Sequence, residues 1–295
     1  MGLSARRASL LQGRGLTLGG LFAAFWPQIS VTWALTLIEV ALFALIPLLI
    51  GRAIDGLIEA DMAAFWMLAI VLAVLLLVAT GRRLFDTRAY GVMRVSLGRA
   101  LAERSKDRPV STVNARLAMS RELVDFLETE APESMTGVLQ MLAAIAILSS
   151  FHPTLGLIAG AALVFMLVIY GLAHRRFYKI NQLLNAQSEK QVSILETRSL
   201  PRLGAHLLAL RKSEVRLSDT EALVYGLIFA GLLSLVLFNL WFATQNITIT
   251  AGTVFAVVTY SWEFVDGALF LPTTLQSLSR LSEITRRINQ TEASE

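Results

Sequence analysis

Residues 29–50 read ISVTWALTLIEVALFALIPLLI, twenty-two residues that contain one charged side chain, Glu39. About 20 helical residues cross a hydrocarbon core of about 30 Å, so this stretch is long enough to span a membrane. Five further apolar stretches follow it along the chain. The six predicted spans are residues 29–50, 63–80, 135–151, 155–173, 222–243 and 251–271. The sequence therefore predicts an all-α membrane protein with six transmembrane helices.

The composition of the whole chain agrees with this class. Of the 295 residues, 55% are hydrophobic and 16% are charged, which is far more apolar than an ordinary soluble domain. No cysteine is present, so the sequence offers neither a disulfide framework nor a Cys-based metal site. The formal net charge of +4 would also fit a nucleic-acid-binding protein. The positions of the basic residues decide between these two interpretations.

Basic residues are concentrated on one side of the predicted spans. The N-terminal arm contains three, residues 81–134 ten, residues 174–221 nine and the tail three, which leaves only Arg52 for the opposite side. Cytoplasmic loops near spans carry an excess of Lys and Arg, so both termini are predicted to be cytoplasmic. Membrane topology thus explains the basic charge, and we expect no nucleic-acid partner. Only four of the 26 basic residues are lysine, which favours a bacterial source and its cytoplasmic membrane.

Two long loops, residues 81–134 and 174–221, hold most of the polar chain. Helix-favouring residues dominate both loops, and apolar residues recur in them at spacings of three and four. Pro109 breaks the first loop near its middle, and Pro201 breaks the second. The spans are therefore predicted to continue into the cytoplasm as two helical stalks, each with a short turn at its tip.

Two short motifs lie at the ends of the first span. Phe25-Trp26-Pro27 precedes the span, and residues 46–55, IPLLIGRAID, contain a Pro-x3-Gly-x3-Asp pattern where it ends. Both motifs resemble parts of the six-helix membrane domain of ABC exporters: the first is similar to the end of the elbow helix before the first span, and the second to the turn that closes that span. These two stretches place the resemblance at the start of the chain.

Two later stretches extend the resemblance over nearly the whole chain. His152-Pro153-Thr154-Leu155 lies where exporters turn between the third and fourth spans. Residues 249–256, ITAGTVFA, followed by Tyr260 and by Arg286-Arg287-Ile288, resemble the opening and exit of the sixth span.

The resemblance implies an organisation and a set of partners. Residues 1–28 would form a cytoplasmic arm and elbow, residues 29–288 the six-helix domain and residues 289–295 a cytoplasmic tail. A second copy or a related half-transporter would complete the translocation path among membrane lipids, and the stalk tips would dock on ATPase domains. The coupling-helix candidates at those tips are Asp107, Arg108, Pro109, Arg198, Pro201 and Arg202.

The sequence has no Gly-Lys pair, and a P-loop of the form Gly-x4-Gly-Lys-[Ser/Thr] needs one to bind phosphates. We therefore expect that the chain is not an enzyme and binds no cofactor and no metal. ATP would bind to a separate partner subunit.

Three acidic residues lie within the predicted spans: Glu39 in the first, and Glu263 and Asp266 in the sixth. A carboxylate at the bilayer centre costs about 2.5–3.5 kcal/mol, so it usually faces a cavity or a partner. Glu39 and Glu263 fall near the middle of their spans, and no Lys or Arg lies within the predicted spans to pair with them. The candidates for a substrate or ion path are Glu39, Glu263, Asp266, Trp33, Tyr260 and Trp262.

Three functions remain open from the sequence. The first is the permease subunit of an ABC-type transporter, which works by alternating access and is energised by a separately encoded ATPase. The second is a stand-alone proton-coupled transporter, similar to bacterial peptide-uptake proteins, in which unpaired acids within the spans exchange protons. The third is an inactive or scaffolding membrane subunit. The same acids could instead be protonated packing groups or face a wide aqueous vestibule.

Overall fold

The computed structural model describes residues 18–104, 110–246 and 250–271. These ranges are almost entirely helical. The helices are α1 (Leu18–Ile58), α2 (Ala63–Arg104), α3 (Val110–Asp125), a π-helical segment (Phe126–Glu130), α4 (Ala131–Phe151), α5 (Pro153–Glu189), α6 (Gln191–Glu196), α7 (Leu200–Asn246) and α8 (Ala251–Leu271).

Six helical stretches within the described residues are long and apolar enough to cross a membrane. They are Phe22–Ile58, Ala63–Glu103, Arg121–Phe151, Pro153–Leu184, Leu200–Asn246 and Ala251–Leu271. Each contains one of the six spans predicted from the sequence, and most of them extend beyond the predicted span at one or both ends. The prediction of an all-α membrane protein with six transmembrane helices is confirmed.

Four helices are much longer than a membrane is thick. Helices α1, α2, α5 and α7 contain 41, 42, 37 and 47 residues. At 1.5 Å per residue they measure about 61, 63, 55 and 70 Å, against a hydrocarbon core of about 30 Å. The excess length of α2, α5 and α7 forms the helical stalks that the sequence predicted.

The break in the second stalk lies close to its predicted position. Helix α5 ends at Glu189, the short helix α6 follows, and α7 begins at Leu200. Between α6 and α7, Arg198 has a φ angle of 50°, a left-handed conformation that a non-glycine residue adopts only at some cost. Pro201 lies in the first turn of α7, where its missing N–H is not needed. Asp107, Arg108 and Pro109, the candidates at the other tip, lie outside the described residues.

The chain forms two compact units, which are described separately. Unit 1 comprises residues 1–147 and 248–295, and unit 2 comprises residues 148–247. Unit 1 contains α1, α2, α3, the π-helical segment, most of α4, and α8. Unit 2 contains the end of α4 with α5, α6 and α7.

Helix α1 begins with a bend. At Phe25 the backbone leaves helical geometry, with φ −119° and ψ 20°, two residues before Pro27. In a regular helix the ring of Pro27 would clash with the carbonyl four residues earlier, that of Ala23, and proline has no N–H to bond to it, so a bend between these two residues relieves a conflict within the helix. The bend corresponds to the predicted elbow before the first span.

A core of large apolar side chains joins three parts of unit 1. Tyr90, Met93 and Leu97 of α2 are fully or almost fully buried. They belong to a cluster that also contains Phe25 and Ile29 of α1. Its remaining members come from α2, α3 and the π-helical segment: Ala100, Leu101, Leu123, Val124, Phe126 and Leu127.

Asp55 joins the end of α1 to the start of α8. Its carboxylate accepts a hydrogen bond from the Gly252 N–H at 2.8 Å and another from the Thr250 hydroxyl at 2.6 Å. The Thr250 hydroxyl in turn accepts a bond from the Thr253 N–H at 3.0 Å, as a helix N-cap does. Gly51 and Gly252 let the two backbones approach, because a Cβ on either would press against the backbone of the other. These contacts give the Gly and Asp of the Pro-x3-Gly-x3-Asp turn a structural role.

Tyr260 of α8 closes a gap in the α1 backbone beside Pro47. The Tyr260 hydroxyl donates to the Ala44 carbonyl at 2.6 Å and accepts from the Leu48 N–H at 3.2 Å. In an uninterrupted helix that N–H would bond directly to that carbonyl. The tyrosine therefore bridges one step of the hydrogen-bond ladder and ties α8 to α1.

Unit 2 is built mainly from the pairing of α5 with α7. The turn before α5 is ordered by His152, whose Nδ1 accepts the Thr154 N–H at 3.2 Å and whose ring lies 4.9 Å from that of Phe242. Further along the pair, the Phe165 ring lies so close to Gly231 that a Cβ there would overlap it. This contact is between small and aromatic residues and involves no charge.

Candidate functional site

Unit 1 encloses a cavity of about 500 Å³. Residues from α1, α2, the π-helical segment, α4 and α8 form its wall. Seven of the lining residues are charged, and carboxylates outnumber guanidinium groups by five to two. The charged lining residues are Glu39, Arg82, Arg83, Asp86, Glu128, Glu133 and Asp266.

Arg82 lies at the centre of a charged cluster between α1 and α2. Its Nε donates to Glu39 at 2.8 Å, and its NH1 lies 3.3 Å from Asp86. The other oxygen of Asp86 accepts the Thr32 hydroxyl at 2.6 Å. The side chains of Glu39 and Asp86 are only 14% and 5% exposed, so one cation compensates two largely buried carboxylates.

The expectation that Glu39 has no basic partner is wrong. Arg82 lies two residues beyond the predicted end of the second span, but α2 continues past that point as an unbroken helix. Glu39 precedes the end of α1, Ile58, by nineteen residues, and Arg82 follows the start of α2, Ala63, by nineteen. Both therefore lie about 28 Å along their helices from the shared turn.

A second cation, Arg94, connects α2 to the π-helical segment. Its guanidinium contacts Asp125 at 2.6 Å and also Glu128. Glu128 belongs to the π-helical turn, which widens the helix by one residue and is a feature often found at functional sites. Glu128 and Thr129 of this turn both line the cavity. The π-helical backbone therefore lies at the cavity wall, and the ion pair between Arg94 and Glu128 holds it there.

Helix α8 supplies the opposite part of the wall with Asp266, Gly267 and Phe270. Gly267 packs against the backbone of Gly137 on α4, and the Phe270 ring lies beside the same glycine. Asp266 is exposed to the cavity and has no ion-pair partner among the described residues. Its carboxylate is therefore available to a bound molecule.

The structure separates the six path candidates. Glu39 and Asp266 line the cavity. Glu263, three residues before Asp266, does not line it, and Tyr260 is buried with its hydroxyl bound to the α1 backbone. Trp33 packs edge-on against Phe22 at 5.3 Å, and Trp262 lies on the outer surface, 43% exposed. The structure thus brings two of the six candidates together at one cavity.

Most of the other charged lining residues could not be predicted from the sequence. Arg82, Asp86, Glu128 and Glu133 all fall in the predicted stalk, residues 81–134, where charged residues are expected at a solvated surface. One signal was present: Arg82 and Asp86 are four residues apart and so share a helix face. Glu39, the carboxylate on α1 that Arg82 contacts, can be recognised as a partner only once α1 and α2 are paired.

The described residues contain no group of three His, Cys, Asp or Glu side chains arranged to hold a metal ion. The cavity groups are carboxylates, guanidinium groups, hydroxyls and one amide, together with apolar side chains. Such a wall can bind and orient a polar or charged molecule by hydrogen bonds and charge.

Comparison with known proteins agrees with the geometry. A family profile described as an ABC transporter transmembrane region matches residues 21–252, more than half of the chain. No curated protein matches the sequence significantly. Transmembrane regions of this family associate in general with an ATPase or with another transmembrane subunit. This multi-pass membrane chain belongs to the ABC transporter transmembrane-region family and is a membrane subunit of ABC-type transport.

Proposed function

We propose that the chain is the permease subunit of an ABC-type transporter, that it moves its substrate by alternating access, and that a separately encoded ATPase energises it. The observation that carries the proposal is the family match over residues 21–252. The 295 residues contain no Gly-Lys pair, so ATP has to bind outside them. The chain itself is accordingly not an enzyme and holds no cofactor in this proposal.

The acid-rich cavity of unit 1 is the proposed substrate-binding site. Two of its five carboxylates, Glu39 and Asp86, are compensated by Arg82, and Glu128 is compensated by Arg94. Asp266 and Glu133 have no ion-pair partner among the described residues. The excess negative charge favours a substrate that carries positive charge or several hydrogen-bond donors.

The proposed setting is the cytoplasmic membrane of a bacterium, with both termini in the cytoplasm. The excess of basic residues in 81–134 and 174–221 supports that orientation. A second copy of the chain or a related half-transporter would complete the translocation path.

Co-purification from the native membrane tests the energy source. The tagged protein is extracted in mild detergent, and mass spectrometry identifies what accompanies it. We expect a stoichiometric ATPase subunit, which is lost when Arg198→Glu and Arg202→Glu reverse the charge at the described stalk tip. The matched pair Arg211→Glu and Lys212→Glu, on the exposed surface of α7, keeps the ATPase bound. Reproducible absence of any ATPase would refute the proposal.

Transport measurements test the role of the cavity. In inside-out vesicles with ATP, Asp266→Asn is expected to reduce uptake of a fluorescent organic cation by roughly tenfold or more, since a hydrogen bond to a charged group is lost. Glu263→Gln is the matched control, because Glu263 is on the same helix but does not line the cavity. Equal losses in the two variants would contradict the assignment of the cavity as the substrate site.

A proton-coupled transporter is the second candidate. It is favoured by one observation, the unpaired Asp266 and Glu133 on the cavity wall among the described residues. Glu39 is not among the unpaired carboxylates, because Arg82 contacts it at 2.8 Å. Uptake driven by a pH gradient without ATP, and abolished by Asp266→Asn, would establish this function in place of the first.

A further inference from the structure

Four exposed basic side chains line a second, open cavity, which lies in unit 2 and has a volume of about 550 Å³. Arg175, Arg176 and Lys179 come from α5, and Arg216 comes from α7. Its other lining residues, Leu172 and Ile180, are apolar, so no carboxylate among the described residues contributes to the wall. We propose that this basic cavity binds the phosphate headgroup of an anionic phospholipid.

The cations of the basic cavity form no ion pairs with acidic groups in the described part of the chain. None of its four cations has an acidic group within 4 Å among the described residues. Arg175, Arg176 and Lys179 fall within little more than one helical turn, so their like charges repel one another. A bound anion would remove that repulsion. A planar guanidinium also donates two parallel hydrogen bonds to a phosphate, which suits Arg to this ligand.

The position of the cavity along α5 matches a membrane boundary. Leu172 and Arg175 lie nineteen and twenty-two residues after Pro153, where α5 begins. At 1.5 Å per residue, these positions are about 29 and 33 Å from that turn, against a hydrocarbon core of about 30 Å. In this proposal the turn before α5 lies at the opposite membrane boundary, so the exposed Leu172 is at the depth of the acyl chains and the arginines are at the depth of the headgroups.

Leu172 distinguishes a lipid from a soluble phosphate. It is 78% exposed and lines the same cavity as the cations. An acyl chain attached to the bound headgroup would cover this side chain, whereas inorganic phosphate would leave it uncovered. Basic pockets between transmembrane helices are known to bind anionic headgroups on the cytoplasmic side of membranes. A general excess of Lys and Arg in inner loops would not by itself gather residues from two helices around one cavity.

Lipid binding by the purified full-length chain tests the proposal. Native mass spectrometry counts bound dioleoylphosphatidylglycerol, with zwitterionic dioleoylphosphatidylcholine at the same concentration as the reference. We expect the wild-type chain to retain phosphatidylglycerol preferentially. Arg176→Gln with Lys179→Gln should weaken that binding about 25-fold, because each basic residue near an anionic surface contributes roughly a fivefold increase in affinity.

Two further variants show whether a loss of lipid binding comes from the cavity itself or from a change in total charge or in folding. Arg211→Gln with Lys212→Gln removes the same two charges from exposed positions of α7 outside the cavity, and should change binding less than twofold. Lys179→Arg keeps the charge and should retain binding. The proposal is overturned if the two double variants bind phosphatidylglycerol equally, or if the wild-type chain does not prefer it to phosphatidylcholine.

Inorganic phosphate is the alternative ligand, and its effect on the melting temperature is compared with that of phosphatidylglycerol. If the ligand is a lipid, excess phosphate alone should not raise the melting temperature of the wild-type chain as phosphatidylglycerol does. If phosphate raises it equally and displaces the lipid, the cavity binds a soluble phosphate and the lipid assignment fails.

Discussion

Arg82 in unit 1 and Arg176 in unit 2 both lie on long helices and line cavities of similar volume, yet their surroundings are opposite. Arg82 contacts two carboxylates, one on its own helix and one on α1, within 3.3 Å. Arg176 shares its cavity wall with three other cations and with no acid from the described part of the chain. The first arrangement uses a cation to hold helices together, and the second leaves cations available for a ligand.

The same contrast separates the two units as a whole. In unit 1, polar groups join helices at several points, through Asp55, Tyr260 and the ion pairs of Arg82 and Arg94. All of the ion pairs among the described residues lie in that unit. Unit 2 is instead held by apolar contacts such as Phe165 on Gly231. Charge therefore contributes to the stability of unit 1 and, in our proposal, to lipid binding by unit 2.

The largest expected effect comes from Arg82→Gln. It removes the only ion-pair partner that Glu39 and Asp86 have among the described residues, and stranding a buried charge costs about 3–5 kcal/mol. Arg83→Gln is the matched control, since Arg83 lines the same cavity without an ion pair among the described residues. It should change stability by less than about 0.5 kcal/mol. Thermal unfolding in detergent measures both.

A double variant shows whether the loss comes from the stranded carboxylate. Adding Glu39→Gln to Arg82→Gln should restore part of the stability, because the uncompensated charge on Glu39 is removed. If the double variant is less stable than Arg82→Gln alone, packing of the arginine rather than its charge holds α1 to α2.

A smaller effect is expected where backbones meet in unit 1. Gly252→Ala places a Cβ against the backbone of Gly51 and should cost about 1–3 kcal/mol, as overpacking does. A Cβ added at Gly226, on α7 of unit 2, would meet no neighbouring atom within 4 Å. Gly226→Ala should therefore stabilise the helix by up to about 1 kcal/mol. Melting temperatures that move in opposite directions would support this difference, and equal losses would contradict it.

The smallest effect on stability is expected in the basic cavity. In lipid-free detergent, Arg176→Gln with Lys179→Gln should change the free energy of unfolding by less than about 0.5 kcal/mol, because no ion pair is lost among the described residues. Low salt should make the variant slightly more stable than the wild type, since like-charge repulsion is then strongest. A loss comparable to that of Arg82→Gln would show that these cations hold the fold together.

The sequence predicted some structural positions well. Pro201 indicated the break in the second stalk, and α7 begins one residue before it. Phe25-Trp26-Pro27 resembles the end of the exporter elbow helix, and the backbone bends at Phe25. The stalk break could be predicted from the residues alone, because proline acts on its own helix and needs no partner from elsewhere in the chain.

The candidate site was predicted less completely. A carboxylate among apolar residues is costly, which points to Glu39 and Asp266, and both line the cavity. Glu263 satisfies the same criterion but does not line it, and hydropathy does not point to Arg82, because Arg82 lies beyond the apolar run. The path roles of Trp33, Tyr260 and Trp262 remain predictions. Hydropathy reports the cost of burying a side chain but not the direction in which it points.

Six membrane spans follow from the amino-acid sequence alone, because the length and composition of each apolar stretch are local properties. Helix packing is needed to show that Arg82 neutralises Glu39, that the Tyr260 hydroxyl completes the α1 backbone, and that four cations of unit 2 share one cavity. Those outcomes depend on how helices distant in sequence pair and rotate. Charge compensation acts over a few ångströms, and folding sets those distances.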